Sequence, residues 1–188
     1  MSCMREIWRY ARTVDAKNVR LQPSIDYGNV PSAIVGYNSP GSYPGFVIYD
    51  TNVPDSTKLY YCLRNTSPYD NYYTTNSSDP LCSGSYTSIT EDDYIGYILI
   101  NDPGTDRYYA NWLYNNAGGI YYNQPVKATG LYIMKYSSTG QHYFCGSNQI
   151  AGLISQGWCC LRGPSSSCAG NWCGGEENTT PVGYIFIP

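Results

Sequence analysis

Short apolar and aromatic runs alternate with clusters of turn-forming residues along most of the chain. Tyrosines stand beside β-branched residues in runs of strand length, and Pro, Gly, Asn and Ser separate one run from the next. The stretches 38–41, 101–104 and 115–119 can each reverse the chain, so long helices do not fit between them. This spacing predicts a mostly β fold.

One segment has helical periodicity instead. Ser147 is placed to cap a helix, the apolar residues Ile150, Leu153 and Ile154 recur at helical spacing, and Gly157 is placed to end it. We therefore predict one short helix after the last aromatic tract.

Pairs of strand signals recur in one order, with an apolar opening strand followed later by a strand that contains Gly-Tyr. The opening strands lie at 7–10, 59–63 and 131–136, and the Gly-Tyr strands lie at 34–37, 94–97 and 181–184. Similar stretches also occur at 46–52 and 110–116. We predict one domain, 1–188, built from three degenerate repeats at about 7–37, 38–97 and 98–188 and closed into a pseudo-threefold antiparallel β-architecture.

Aromatic tracts at 69–76 and 140–148 follow the second and third opening strands. With the Gly-Tyr strands, these tracts resemble an extracellular aromatic repeat family whose consensus is roughly L-Y-R-x-Y-N, D-H-F-Y-T-T-N and E-G-I-x-G-Y. Asn71 stands where that motif has His, and Gln141 stands where it has Asp. The resemblance implies an accessory module of secreted proteins that attaches to cell walls or glycans.

Composition and charge limit the classes of partner that the chain can bind. A chain of 188 residues that is 42% hydrophobic and 13% charged suits a single folded core, and its net charge of −3 offers no basic surface for nucleic acid. The longest apolar runs have strand length, such as 94–100. We expect neither a nucleic-acid partner nor a membrane span.

The cysteine pattern indicates an oxidising compartment. Eight cysteines without paired C-x-x-C knuckles predict a disulfide framework, and the only histidine, His142, is not spaced to complete a zinc site. The cysteines are Cys3, Cys62, Cys82, Cys145, Cys159, Cys160, Cys168 and Cys173. The last four lie in a Cys-rich insertion at about 159–173, flanked by Trp158 and Trp172, that could form a binding loop.

Secretion is also favoured by three glycosylation sequons, at Asn65, Asn76 and Asn178. No signal peptide is visible at 1–5, so we expect that one was removed or that this start is artificial. We predict a secreted, extracellular glycoprotein.

Few residues could support catalysis. Ser/His/Asp and Cys/His triads would all depend on His142, for which a hydrogen-bonding role within the fold is the alternative. The acidic clusters 91–93 and 176–177 could serve glycoside hydrolysis, or could be solvated turns or calcium contacts. We expect no enzymatic activity and no metal or cofactor.

Carbohydrate binding needs an aromatic ring beside amide or carboxylate groups, and the sequence is rich in that combination. The candidate ligand-binding residues are Asp70, Asn71, Tyr72, Tyr73, Asn111, Trp112, Tyr114, Gln141, His142 and Tyr143. Side chains alternate along a strand, so only half can face a ligand. The alternative is that aromatic residues recurring in each repeat form its core.

These observations predict a secreted, non-enzymatic, lectin-like module that binds a glycan or a cell-surface or cell-wall polysaccharide through exposed loops. The alternative is a structural or adhesive extracellular protein that self-associates into a matrix, fibre or coat. A secreted hydrolase or toxin is a third possibility, and it would depend on His142 or on the acidic cluster.

Overall fold

A computed structural model describes residues 4–24, 31–40, 45–103, 127–162 and 181–187. Strands make up most of the regular structure in these ranges: β1 (Met4–Arg12), β2 (Asp15–Pro23), β3 (Phe46–Tyr49), β4 (Ser56–Arg64), β5 (Asp70–Thr74), β6 (Tyr94–Leu99), β7 (Lys127–Tyr136), β8 (His142–Cys145), β9 (Trp158–Arg162) and β10 (Gly183–Ile187). A 3-10 helix (Ser147–Gln149) continues into helix α1 (Ile150–Ser155). The predictions of a mostly β fold and of a short helix are confirmed.

The strands form three antiparallel hairpins, β1–β2, β4–β5 and β7–β8. The first strand of each hairpin also pairs antiparallel with a further strand, namely β3, β6 and β10 respectively. Strand β9, which follows α1, pairs with β7. Each hairpin is thereby widened to at least three strands, which gives it a face large enough to bury.

Strands β3, β6 and β10 are each paired with the other two. The paired residues are Tyr49 with Tyr97, Leu99 with Tyr184, and Phe186 with Val47. Glycine permits the close approach: a Cβ at Gly96 would lie 2.6 Å from Ile48 Cδ1, and one at Gly183 would lie 2.5 Å from Ile98 Cδ1. This explains why Gly precedes Tyr in these two strands.

The main core lies between the three hairpins. Its members include Ile7, Leu21, Leu59, Tyr73, Leu131 and Phe144, all less than a tenth exposed. A separate cluster under α1 contains Met134, Ile150, Leu153 and Trp158. No helix in the described ranges is long and apolar enough to cross a membrane.

Two details of the predicted architecture are wrong. The sheet is not closed, because its strand order runs from β2 at one end to β5 at the other. The residues 34–37 form a turn, in which Tyr37 makes a single bridge to Arg12, and not a closing strand. The strand paired with β1 is instead β3, Phe46–Tyr49.

The prediction that all eight cysteines form disulfides is also wrong. Cys62 and Cys82 are bonded to each other, and Cys159 and Cys160 are disulfide-bonded as well. Cys145, however, is a free, fully buried thiol on β8. Cys3, Cys168 and Cys173 lie outside the described residues.

Candidate functional site

Asp70 and His142 form a buried pair where hairpins β4–β5 and β7–β8 meet. Asp70 begins β5 and is 1% exposed, and His142 begins β8 and is 3% exposed. His142 Nδ1 lies 2.7 Å from Asp70 Oδ2, and the His142 backbone N–H donates to Asp70 Oδ1 over 2.8 Å. An ionised carboxylate only accepts, so Nδ1 carries the proton in this pair. The hydrogen-bonding interpretation of His142 is confirmed.

Tyr86, in the loop before β6, also hydrogen-bonds to Asp70. Its hydroxyl donates to Asp70 Oδ2 over 2.5 Å. Burial, together with the charge of Asp70 and this hydrogen bond, raises the pKa of Tyr86. The hydroxyl therefore stays protonated and remains a donor at neutral pH.

Two amide contacts connect the hairpins in the same way. Asn71 Nδ2 donates to Asn18 Oδ1 over 2.5 Å, which joins β5 to β2. Gln141 Nε2 donates to Asp15 Oδ2 over 2.5 Å and to the Tyr69 carbonyl over 2.8 Å. Asn18, Asn71 and Gln141 are all buried, so each contact replaces hydration that the amide loses on folding.

The aromatic candidates Tyr72 and Tyr73 are buried in strand β5 as well. Tyr72 donates to Asp79 Oδ2 over 2.9 Å, and the Tyr73 hydroxyl accepts from the Leu21 backbone N–H over 2.7 Å. Burial raises the pKa of Tyr73. The expectation that these side chains lie on exposed loops is wrong, because strand pairing and burial take them into the core. The alternative, that these tyrosines are core residues, is confirmed.

Tyr143 points away from this interior cluster. Neighbouring side chains on a strand face opposite sides, so burial of His142 turns Tyr143 outward. Tyr143 lines an open groove of about 650 Å³ between hairpin β1–β2 and the segment that carries α1. We call this the Arg9 groove; it is lined by Arg9, Ala11, Ala16, Lys17, Val19, Tyr143, Gln149, Gly152, Leu153, Gln156 and Trp158.

Arg9 is held in place at one side of the groove. Its Nη2 donates to Gln149 Oε1 over 2.7 Å, and its Nη1 donates to the Tyr143 hydroxyl over 3.3 Å. The guanidinium carbon lies 4.8 Å from the Phe46 ring centroid and 5.8 Å from that of Tyr143. These contacts fix the guanidinium in one orientation before any ligand arrives.

Trp158 supports the Tyr143 ring. The two ring centroids are 5.6 Å apart at an interplanar angle of 58°, and Tyr136 packs edge-on against Trp158 at 5.2 Å. Trp158 is only 5% exposed, whereas Tyr143 is half-buried. Tyr143 is therefore the aromatic surface of the groove, and Trp158 holds it in position.

The groove lining has the chemistry of a binding site. It combines an aromatic ring, the amides of Gln149 and Gln156, and two cations. Among the lining residues in the described ranges there is no Ser, Cys, His, Asp or Glu that could act as nucleophile or general base. Nor do the described residues contain a group of three or more His, Cys, Asp and Glu side chains that could hold a metal ion.

The structure thus separates the sequence candidates. Asp70, Asn71, Tyr72, Tyr73, Gln141 and His142 lie together in the interior, and Tyr143 lines the groove. Asn111, Trp112 and Tyr114 lie outside the described residues, as does Asn178. Asn65 and Asn76 are exposed, as glycosylation requires, and the acidic residues Glu91 and Asp92 lie in an exposed turn before β6.

Sequence reasoning did not find Arg9, Lys17, Gln149 and Gln156. They come from distant parts of the chain, and the sequence signals for the groove were the candidate Tyr143 and the position of Trp158 beside the Cys-rich insertion. Comparison with models of protein families, with curated proteins and with solved structures finds no match. The functional argument therefore depends on the geometry of the Arg9 groove.

Proposed function

We propose that this chain is a secreted, non-enzymatic carbohydrate-binding module that holds a glycan or a cell-wall polysaccharide in the Arg9 groove. The observation that carries the proposal is the open groove itself, in which the Tyr143 ring stands beside the amides of Gln149 and Gln156. Its volume of about 650 Å³ falls within the range of small-molecule sites, which is about 300–1,000 Å³.

The groove supplies the two interactions that a sugar needs. The C–H face of a pyranose packs on an aromatic ring, and the half-buried Tyr143 provides one that Trp158 holds rigidly. Sugar hydroxyls need donors and acceptors, which the exposed Gln156 and the half-buried Gln149 provide.

We propose an extracellular location for this module. The Cys62–Cys82 disulfide and the bonded state of Cys159 and Cys160 support an oxidising environment. Asn65 and Asn76 are exposed and accessible to glycosylation enzymes. These features agree with the resemblance to the extracellular aromatic repeat family.

We also propose that the fold contains three repeats, each a hairpin plus one further strand, with boundaries near 4–49, 56–99 and 127–187. The support is that the three pairings of β3 with β6, β6 with β10 and β10 with β3 have equivalent registers. The equivalent cross-strand pairs of the hairpins are Arg9 with Leu21, Tyr61 with Tyr73, and Ile133 with Phe144. Buried polar contacts also recur, because Asn71 donates to Asn18 as His142 donates to Asp70.

A glycan-array screen of the oxidised protein tests the binding proposal. Tyr143→Ala removes the stacking surface and Gln156→Ala removes an exposed amide, and each is expected to weaken binding by roughly tenfold. Tyr60→Ala is the matched control, because Tyr60 is a half-buried tyrosine on β4 that lines neither described cavity.

Binding that both groove variants retain at full strength would refute the assignment of this groove. Silence across the array from folded protein would refute carbohydrate binding altogether. Silence accompanied by concentration-dependent assembly in sedimentation velocity would favour the structural or adhesive alternative.

A further inference from the structure

We infer that the Arg9 groove selects anionic sugars, and specifically uronic acids, over neutral ones. This inference rests on the proposed carbohydrate-binding function and adds the class of sugar. It depends on two cations, Arg9 and Lys17, that line the groove and form no salt bridge within the described part of the chain.

Arg9 is a fixed cation that has no carboxylate partner among the described residues. The salt bridges in the described part of the chain are Arg5–Asp50 and Asp70–His142, and neither includes Arg9. The partners of Arg9, Gln149 Oε1 and the Tyr143 hydroxyl, are both neutral. A half-buried guanidinium whose neighbours are neutral gains most from an anionic ligand, because each hydrogen bond to it is then charge-assisted at both ends.

The donors that remain on Arg9 suit a carboxylate. The guanidinium has five N–H donors in a planar fork, and its described hydrogen bonds use one on Nη1 and one on Nη2. Nε is buried without a partner against Gly45, where an added Cβ would clash with it. The second N–H on each terminal nitrogen is left for a ligand, and a carboxylate is the group that such a pair binds best.

Lys17 supplies the second charge. It is exposed on β2, and its Nζ lies 4.8 Å from the Tyr136 ring centroid. Neither salt bridge in the described ranges includes Lys17, and the nearby Asp15 carboxylate accepts instead from the Lys17 backbone N–H and from Gln141 Nε2. Lys17 thus adds an unpaired positive charge at the edge of the groove.

The local charge is opposite to that of the whole chain. The net charge is −3, whereas the described groove lining carries two cations and no acid. Because Arg9 Nη1 lies 3.3 Å from the Tyr143 hydroxyl, a sugar ring packed on Tyr143 places a ring carboxylate within reach of the guanidinium. Uronic acids combine that ring and that carboxylate in one residue.

Calorimetric titration with trigalacturonic acid and with its fully methyl-esterified form tests the inference. The two ligands share one backbone and differ in charge, so the ester is a matched neutral probe. We expect the acid to bind at least tenfold more tightly at low salt, and to lose most of that advantage at high salt. A sulfated oligosaccharide in a third arm distinguishes carboxylate recognition from general anion binding.

Charge-removing variants locate the effect. Arg9→Gln and Lys17→Met are each expected to reduce the preference for the acid, Arg9→Gln by roughly ten- to a hundredfold and Lys17→Met by less. Lys17 is exposed, so its variant keeps the test valid if Arg9→Gln does not fold. Arg20→Gln is the matched control, because Arg20 lies on the same strand as Lys17 but lines the smaller cavity of about 150 Å³.

The outcomes separate this inference from the proposed function. Equal binding of acid and ester overturns the anionic preference and leaves carbohydrate binding intact. A preference that Arg20→Gln abolishes and the groove variants retain overturns the site. Tighter binding of the sulfated ligand than of trigalacturonic acid overturns the uronic-acid assignment, and failure of all three ligands to bind overturns the inference.

Discussion

Replacing Asp70 with Asn tests whether the buried polar cluster holds the hairpins together. Asp70 accepts three hydrogen bonds, from the His142 backbone, the His142 ring and the Tyr86 hydroxyl, at distances of 2.5–2.8 Å. The substitution keeps the volume of the side chain but replaces one acceptor oxygen with an –NH2 donor. If the remaining oxygen keeps the hydrogen bond from the His142 backbone N–H, the –NH2 group takes the place of Oδ2. The His142 ring and the Tyr86 hydroxyl then each face another donor.

The expected loss of stability follows from the two hydrogen bonds that Asp70 Oδ2 accepts. A hydrogen bond to a charged group contributes about 1.5–3 kcal/mol to stability, and rotation of the Tyr86 hydroxyl or a change of His142 tautomer recovers part of the loss. We expect Asp70→Asn to lower the free energy of unfolding by about 2–4 kcal/mol. For a domain of this length that corresponds to a fall in Tm of roughly 5–15 °C.

Urea and thermal unfolding followed by circular dichroism, with the disulfides intact, measure this effect. Asp92→Asn is the matched control, since Asp92 is exposed in the turn before β6 and is expected to change stability by less than about 0.5 kcal/mol. Tyr86→Phe removes one of the two hydrogen bonds at Oδ2, so the double variant should cost less than the sum of the single variants. An Asp70→Asn protein as stable as the wild type would refute the structural role of the cluster.

Two further predictions concern the core. Burial raises the pKa of Cys145 to about 12. At pH 8 an alkylating reagent should therefore leave this thiol unmodified in the folded protein and modify it in denaturant. Mass spectrometry measures the labelling, and rapid labelling of the native state would contradict the burial of Cys145. Gly96→Ala forces a Cβ to 2.6 Å from Ile48 Cδ1 and 2.8 Å from the Tyr49 carbonyl at a φ of +151°, and should destabilise the fold by about 2–4 kcal/mol in urea unfolding. Gly152→Ala, on helix α1 with open space around the new Cβ, should instead stabilise it by about 0.5–1 kcal/mol.

The local features of the fold were predictable because they depend on short-range physics. Turn residues and aromatic runs indicated the strands, and the spacing of Ile150 and Leu153 indicated the helix. The Gly-Tyr signal at 94–97 and 181–184 marked strands because Gly there permits close strand approach. The same signal at 34–37 failed, because Gly36 has a φ of +85° in a turn and a Cβ added there would have no described atom within 4 Å.

The direction of the aromatic side chains was not predictable from the sequence. Tyr72, Tyr73 and Tyr143 occupy similar tracts, yet the first two are buried and only Tyr143 lines the Arg9 groove. The choice depends on which neighbouring hairpin covers each strand face, which is a long-range property. Cys145 illustrates the same limit, since an even count of cysteines did not reveal that one is a buried thiol.

The Arg9 groove lies where the proposed repeat departs from its own pattern. Arg9 occupies the position that Tyr61 and Ile133 hold in the other two hairpins, judged from their pairing with Leu21, Tyr73 and Phe144. Ile133 is fully buried at this position, whereas Arg9 and Tyr61 are half-buried. A cation cannot be buried as Ile133 is, so Arg9 lies beside an opening and not in a core.

The opposite side of the groove comes from the other irregularity, the segment of helix α1 and strand β9, which has no counterpart among the described residues of the first two units. That segment supplies Gln149, Gln156 and Trp158. The smaller cavity occupies the related position between β2 and β4, where Tyr61 and Arg20 face each other without such a segment, and its volume is only about 150 Å³. The regular parts of the proposed repeat thus build the core, and the two departures from it together form the Arg9 groove, to which we assign a ligand.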